Sequence, residues 1–409
     1  MRILLVSWEY PPVVVGGLGR HVHSLACHLA AAGHDVAVLA RRPTGTDAGT
    51  HPTTDAVVEG VRVVAVAEDP LDLVFTEDLM AWTLGLNHAL VRAGLALQRS
   101  GWQPEVVHGH DWLVAHAAVA LAEHLQVPLV ATLHATEAGR HSGWLPDRMN
   151  RQVHSAEWWL ANSADSLVTC SAAMRAEVTE LFRPEAPVTV LHNGIDLDHW
   201  PSPPQVARTG PPQLLFLGRL EWEKGVQDAI AALARVRRTH PGTRLVVAGE
   251  GSQLEWLRAE ARRHRVLRAV TFAGHLSTTQ LLQRLARADA VVLPSRYEPF
   301  GIVALEAAAA GAPLVASSAG GLGEAVQHGV TGLSFTPGDV AGLTTAVRSV
   351  LDDPGAARER AQRARARLDT DFCWTSIAAA TVDVYRAAHR RPRAPLARPV
   401  IPPNPLPGR

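Results

Sequence analysis

The sequence predicts an α/β protein made of two doubly wound domains that face each other across a cleft. Three observations carry that expectation. Short apolar runs alternate with 3.6-period helical patterns, as parallel strands joined by crossover helices require. The rhythm stops at a proline-rich stretch near mid-chain and then restarts. A chain of 409 residues also exceeds what one ordinary core organises.

The elements follow in order. Residues 2–8 read as a buried strand and Gly16-Gly-Leu-Gly19 as a turn. The next helix puts Val22, Leu25, Ala26 and Leu29 on one face and stops at Gly33. Strands are expected at 34–40, 61–67, 105–108, 129–133, 166–170 and 188–191, with an amphipathic helix over 79–97, filling a domain over 1–198. Residues 199–212, dense in proline and glycine, read as a linker. A second domain, 213–372, has strands at 214–217, 245–248, 270–272, 290–293 and 314–316. An amphipathic helix over 372–388 closes the fold, with 373–390 expected to pack back on the first domain. Residues 391–409 hold seven prolines in 19 positions and read as a disordered tail. Two such domains place a ligand cleft between the carboxyl ends of both sheets.

Composition narrows the function. Formal net charge is zero, so no long-range field recruits nucleic acid or an anionic membrane. Cys27, Cys170 and Cys373 lack metal or disulfide spacing, which fits a reducing cytoplasm. No run has the roughly 18 uninterrupted apolar residues of a membrane span. The first residues lead straight into a strand, so no signal peptide is expected.

One basic residue stands apart. Of 39 lysines and arginines only Lys224 is lysine, a compact point charge on a flexible stem rather than a planar fork. With Arg219 five residues earlier, it sits in a strand-to-helix turn, an arrangement suited to an anion such as a diphosphate. The strongest motif is Arg296-Tyr-Glu298-Pro-Phe-Gly-Ile-Val-Ala-Leu-Glu306-Ala-Ala-Ala-Ala-Gly311. Pro299 suits a first helical turn. Glu298 is expected just before the helix, beside free amides of Phe300, Gly301 and Ile302. Glu306 follows eight positions on, roughly 12 Å along a helix axis. Two carboxylates so separated can hold hydroxyls at two ends of an extended ligand.

These residues carry a family resemblance. Glu298-x7-Glu306, Arg219-x4-Lys224 and the Gly16-Gly-Leu-Gly loop resemble retaining glycosyltransferases of the GT-B fold, the family 4 type that uses nucleotide sugars. Ser7-Trp-Glu-Tyr-Pro-Pro12, His110-Asp-Trp112 and the run from His134 to Trp144 bring the resemblance closer to actinobacterial glycogen-synthase-like α-1,4-glucosyltransferases, including those serving methylglucose lipopolysaccharide synthesis. It covers residues 1 to about 390. It implies two Rossmann-like domains, with the acceptor on the N-terminal side and the nucleotide sugar on the C-terminal side. Glu306 would hold the ribose hydroxyls, Glu298 would approach the transferred sugar, and the amides of Phe300, Gly301 and Ile302 would meet sugar and diphosphate. Arg219 and Lys224 would neutralise the departing diphosphate, which Gly16 and Gly17 would approach from the other domain. His134 would lie beside the transferred sugar, its carbonyl or ring supporting positive charge at the anomeric carbon. Asp111 and Asn193 would contact acceptor or sugar. Asn193 also reads as a plain Asn-Gly turn. The chain departs from linear bacterial glycogen and starch synthases in one place, where Val14 stands at the lysine of K-x-G-G-L.

Other patterns are set aside. His108-x-His110-Asp111 is half a metal site with no further ligand cluster at suitable spacing, so no metal and no cofactor are expected. Asp196-Leu-Asp198 reads as a solvated loop. Gly249-Glu-Gly251 lacks the rest of a dinucleotide fingerprint. No G-x-S-x-G elbow appears. The expectation is a cytoplasmic, metal-independent, retaining transferase moving glucose from UDP- or ADP-glucose to an α-glucan or glucosyl primer. The alternatives are a mannosyltransferase of the same fold acting on a glycolipid, a non-catalytic sugar-nucleotide-binding protein, and an epimerase.

Overall fold

The computed structural model describes residues 1–14, 16–42, 52–67, 72–200 and 210–389. Most of the expected linker (201–209) and the whole expected tail (391–409) lie outside the described residues.

Two sheets organise the molecule. The first contains β1 (Arg2–Ser7), β2 (Asp35–Arg41), β3 (Thr54–Val58), β4 (Val61–Val66), β5 (Val106–His110), β6 (Leu129–Leu133), β7 (Ser166–Thr169) and β8 (Val188–Val190). Their spatial order is β3-β4-β2-β1-β5-β6-β7-β8. The second contains β9 (Gln213–Leu217), β10 (Arg244–Ala248), β11 (Val270–Gly274), β12 (Ala290–Leu293), β13 (Leu314–Ser317) and β14 (Leu333–Phe335), ordered β11-β10-β9-β12-β13-β14. Every pairing is parallel except β3 with β4. The central strands are buried at nearly every position and mostly apolar, because helices cover both faces.

β3 and β14 were not expected from the sequence. β3 is exposed at every position, so no burial pattern marks it, and it joins the sheet as an antiparallel hairpin edge. β14 is three residues long. Elsewhere the strands lie within about two residues of the expected bounds, a displacement ordinary for element ends.

Each sheet has a strand where the chain order reverses. β1 lies between β2 and β5, and β9 lies between β10 and β12. Crevices beyond the carboxyl ends of such strands are where α/β sheets take ligands. The chain returns to the first domain at its end. Ile195 N–H donates to the Phe372 carbonyl at 2.9 Å, and helix Trp374–His389 follows. That helix buries Trp374, Ile377, Val382 and Tyr385 among Ile3, Leu5, Val22 and Val130. Among the described residues, no helix is long and apolar enough to cross a membrane.

Candidate functional site at the interdomain cleft

The C-terminal wall is built at the switch between β9 and β12. β9 ends at Leu217, and Gly218 (φ 148°) turns the chain into Arg219. A short 3-10 turn, Trp222–Lys224, then ends at Gly225 (φ 70°), where a Cβ would lie 1.9 Å from the Pro294 carbonyl. Only glycine fits that approach. The turn delivers Lys224 Nζ to Glu298 Oε2 at 2.8 Å, with both side chains 17% exposed. Ser295 Oγ donates to the same oxygen at 3.1 Å. Arg219 pairs instead with Glu223, at 3.1 Å, and is half exposed. The two cations therefore share a turn, but each has its own carboxylate partner. Two cations sharing one turn were expected, and the sequence did not show their carboxylate partners.

Glu298 and Glu306 are arranged differently from the expectation. The helix begins only at Ile302, capped by Gly301 in the left-handed region (φ 95°), so Pro299 precedes the helix rather than occupying its first turn. Between Glu298 and Glu306 only the part from Ile302 onward is helical, so a rise of roughly 12 Å along one axis does not apply. The Pro299 carbonyl instead accepts from Ser171 Oγ at 2.7 Å, tying this loop to the N-terminal domain. The amides of Phe300, Gly301 and Ile302 find no acceptor among the described residues and remain available to a ligand. The Phe300 ring is buried between His192 and Phe372. Glu306 is also buried and pairs with Arg20 of the opposite domain. Burial pushes its carboxyl up, and the Arg20 charge opposes that shift.

The N-terminal wall gathers at β1, β5 and β6. Helix Gly17–Ala31 starts at the glycine loop, where Glu9 Oε2 accepts from the Gly16 amide at 2.9 Å and the Gly19 amide at 3.3 Å. A carboxylate thus already serves that helix N-terminus. Gly17 abuts the other domain, since a Cβ there would lie 2.8 Å from Ile302 Cδ1. His134 follows β6. Its amide donates to Asp111 Oδ1 at 2.7 Å, and its Nε2 shares a hydrogen bond with His110 Nδ1 at 3.2 Å. Burial lowers His134 to about 3, so its ring is neutral at ordinary pH, and burial raises Asp111 to about 6. Asn193 is buried and its Oδ1 meets His21 Nδ1 at 2.7 Å, so it does more than turn the chain.

The fold therefore brings Lys224 and Glu298 into contact, and His134 and Asp111 into contact, and sets Gly17 and Glu306 at the seam between domains. It also adds residues that no linear motif marked. They are Arg20, His21 and Glu177, whose carboxylate accepts from the Tyr297 hydroxyl at 2.9 Å across the seam, while Glu9 and Tyr297 lie inside motifs that gave them no role. A further ligand cluster exists as well, contrary to the sequence reading. His21, His110 and His134 bring ring nitrogens within 4.8 Å of one another, from three separate segments. Hydrogen bonds to Asn193 and between His110 and His134 already engage these rings, and burial holds all three neutral.

Comparison with known proteins agrees with this architecture. Residues 15–199 match the family described as Glycosyltransferase Family 4, and residues 201–367 match Glycosyl transferases group 1. The chain is 62% identical to a glycogen synthase of Mycobacterium tuberculosis over 414 aligned positions, covering all of both chains. It is 33% identical to a D-inositol 3-phosphate glycosyltransferase of Streptomyces avermitilis, covering 92% of this chain and 84% of that one. The solved sucrose-phosphate synthase of Thermosynechococcus elongatus superposes with a TM-score of 0.79 over 94% of this chain and 98% of that one, at 24% identity. With two parallel α/β domains, a cleft lined from both, and kinship along the full chain, this protein is a glycosyltransferase of the GT-B fold and belongs with the actinobacterial glycogen-synthase-like enzymes of family 4 type.

Proposed function

We propose that the enzyme transfers glucose from UDP- or ADP-glucose to the non-reducing end of an α-glucan or glucosyl primer, forming α-1,4 links with retention and without a metal. The observation that carries this reading is the 62% identity, end to end, with a glycogen synthase. The 33% identity with the inositol-phosphate enzyme supports the same family but not that acceptor. A cytoplasmic setting goes with it.

In this reading the C-terminal wall takes the donor. Lys224 and Arg219 offset charge on the diphosphate as the glycosidic bond breaks, where such charge is largest. Amides at Phe300, Gly301 and Ile302 face the sugar and diphosphate, Glu298 binds sugar hydroxyls, and Glu306 binds the ribose. The Glu298 carboxylate is tied to Lys224 and Ser295, which suits holding a hydroxyl rather than attacking carbon. Front-face attack follows, with the leaving diphosphate taking the acceptor's proton. On the opposite wall neutral His134 offers a carbonyl or ring to the anomeric carbon without adding repulsive charge, while Asp111 and Asn193 approach the acceptor or sugar.

The test is a donor panel in EDTA: UDP-, ADP- and GDP-glucose and GDP-mannose, each with and without maltotetraose, reading nucleotide release. Release from a glucose donor that rises with maltotetraose supports the reading. Turnover with GDP-mannose alone overturns the sugar assignment, and loss of activity in EDTA that returns with a metal overturns metal independence.

A further inference from the structure

Two helices meet end-on across the cleft, Gly17–Ala31 from the first domain and Ile302–Ala309 from the second. They touch at two points. Gly17 lies against Ile302, with no room for a Cβ at 2.8 Å from its Cδ1. Three positions along the first helix and four along the second, Arg20 Nη1 donates to Glu306 Oε1. Spacings of three and four keep both contacts on one face of each helix, so this is a docked surface rather than a stray side-chain contact.

Glu306 needs such a partner. It is 4% exposed, and burial drives its carboxyl toward the neutral form. It stands beyond the first residues of its own helix, where the helix dipole fades. A neutral carboxyl is partly a donor, whereas an ionised one accepts at both oxygens. Arg20 supplies a charge that cannot be lost and engages Oε1, which leaves Oε2 for a ligand. The guanidinium comes from the opposite domain, so its help exists only when the domains are together.

We propose that Arg20 is a positioning residue of the donor site, reaching across the closed cleft to hold Glu306 as a carboxylate aimed at the ribose diol of a nucleoside diphosphate. This rests on the reading of Glu306 as the ribose ligand. Nucleotide grip and domain closure are then one event, because the ribose is held fully only where both helices meet. The opposite arrangement, with Arg20 as a plug in the ribose's place, predicts the opposite sign.

The test is calorimetric binding to the full chain of UDP or ADP, whichever the wild type binds more tightly, against its 2′,3′-dideoxy form. Wild type should prefer the ribose form by about tenfold or more, the scale of a charge-assisted hydrogen bond. Arg20→Gln should bind the ribose form about tenfold more weakly, leave the dideoxy form unchanged, and so lose the preference. Arg20→Lys should restore part of it, and the donor KM should move more than kcat. Unchanged preference in Arg20→Gln, tighter binding, or equal loss of both forms would overturn the role of Arg20. A wild type without any preference would instead remove the ribose reading of Glu306, and this inference with it.

Discussion

At the residue scale, chemistry follows from what individual side chains are held against. Lys224 is the clearest case, a point charge at 2.8 Å from Glu298 in a partly buried turn. Lys224→Ala is expected to lower kcat about 100-fold or more at saturating donor, the scale of losing one preorganised charge in a transition state. Lys224→Arg should recover little, because a planar fork does not fit where an ammonium did. Loss of less than about tenfold in either variant would remove Lys224 from the diphosphate. A second residue reports on stability. Glu157 is buried, Glu137 N–H donates to its Oε1 at 2.8 Å, and its Oε2 has no hydrogen-bond partner, with His154 Nδ1 3.8 Å away. Burial raises its carboxyl to about 9, helped by the Asp111 and Glu137 charges, so the folded state keeps a proton that the unfolded chain releases near 4.3. Stability from this group is full below that lower value and drains as pH rises toward about 9. Unfolding titrations from pH 5 to 9 should show wild type losing up to about 1 kcal/mol per pH unit relative to Glu157→Gln. Parallel curves for the two proteins would contradict the protonated carboxyl. Most donor-side residues were legible because they sit in short motifs with a local geometric reason. Glu9, Arg20 and His21 were not, since their meaning comes from partners many positions away in the chain.

At the element scale, turns decide where the charges point. Gly225 ends the Lys224 turn at φ 70°, with its missing Cβ only 1.9 Å from a backbone carbonyl that cannot rotate away. Gly225→Ala is expected to cost about 2–4 kcal/mol, read as a lower denaturant midpoint, from strain and overpacking together. A midpoint within error of wild type would show that the close approach is not needed. Strands were the most readable elements, because apolar runs such as residues 290–293 carry their burial on every position. β3 shows why others were not: Thr54 to Val58 is exposed throughout and held by its neighbour rather than by a core. The helix after Glu298 shows a third case. Its apolar alanine-rich run was evident, but its start was set by left-handed Gly301 rather than by the preceding proline.

At the scale of the whole molecule, two sheets with their switch points at β1 and β9 make a cleft whose walls touch through Ser171–Pro299, Tyr297–Glu177 and Arg20–Glu306. The chain crosses back at Phe372, so helix Trp374–His389 packs on the domain where the chain began. The alternation of strands and helices made this architecture readable in advance. The contacts across the cleft were not, because domain closure leaves no periodicity in the sequence. What passes between those walls is read from the stereochemistry of the product. Incubation with the preferred glucose donor and maltotetraose in EDTA, followed by proton NMR of the product, should show a longer chain with a new α-1,4 anomeric signal. A β-anomeric signal, or donor consumed while maltotetraose stays unextended, would contradict retaining transfer to an α-glucan.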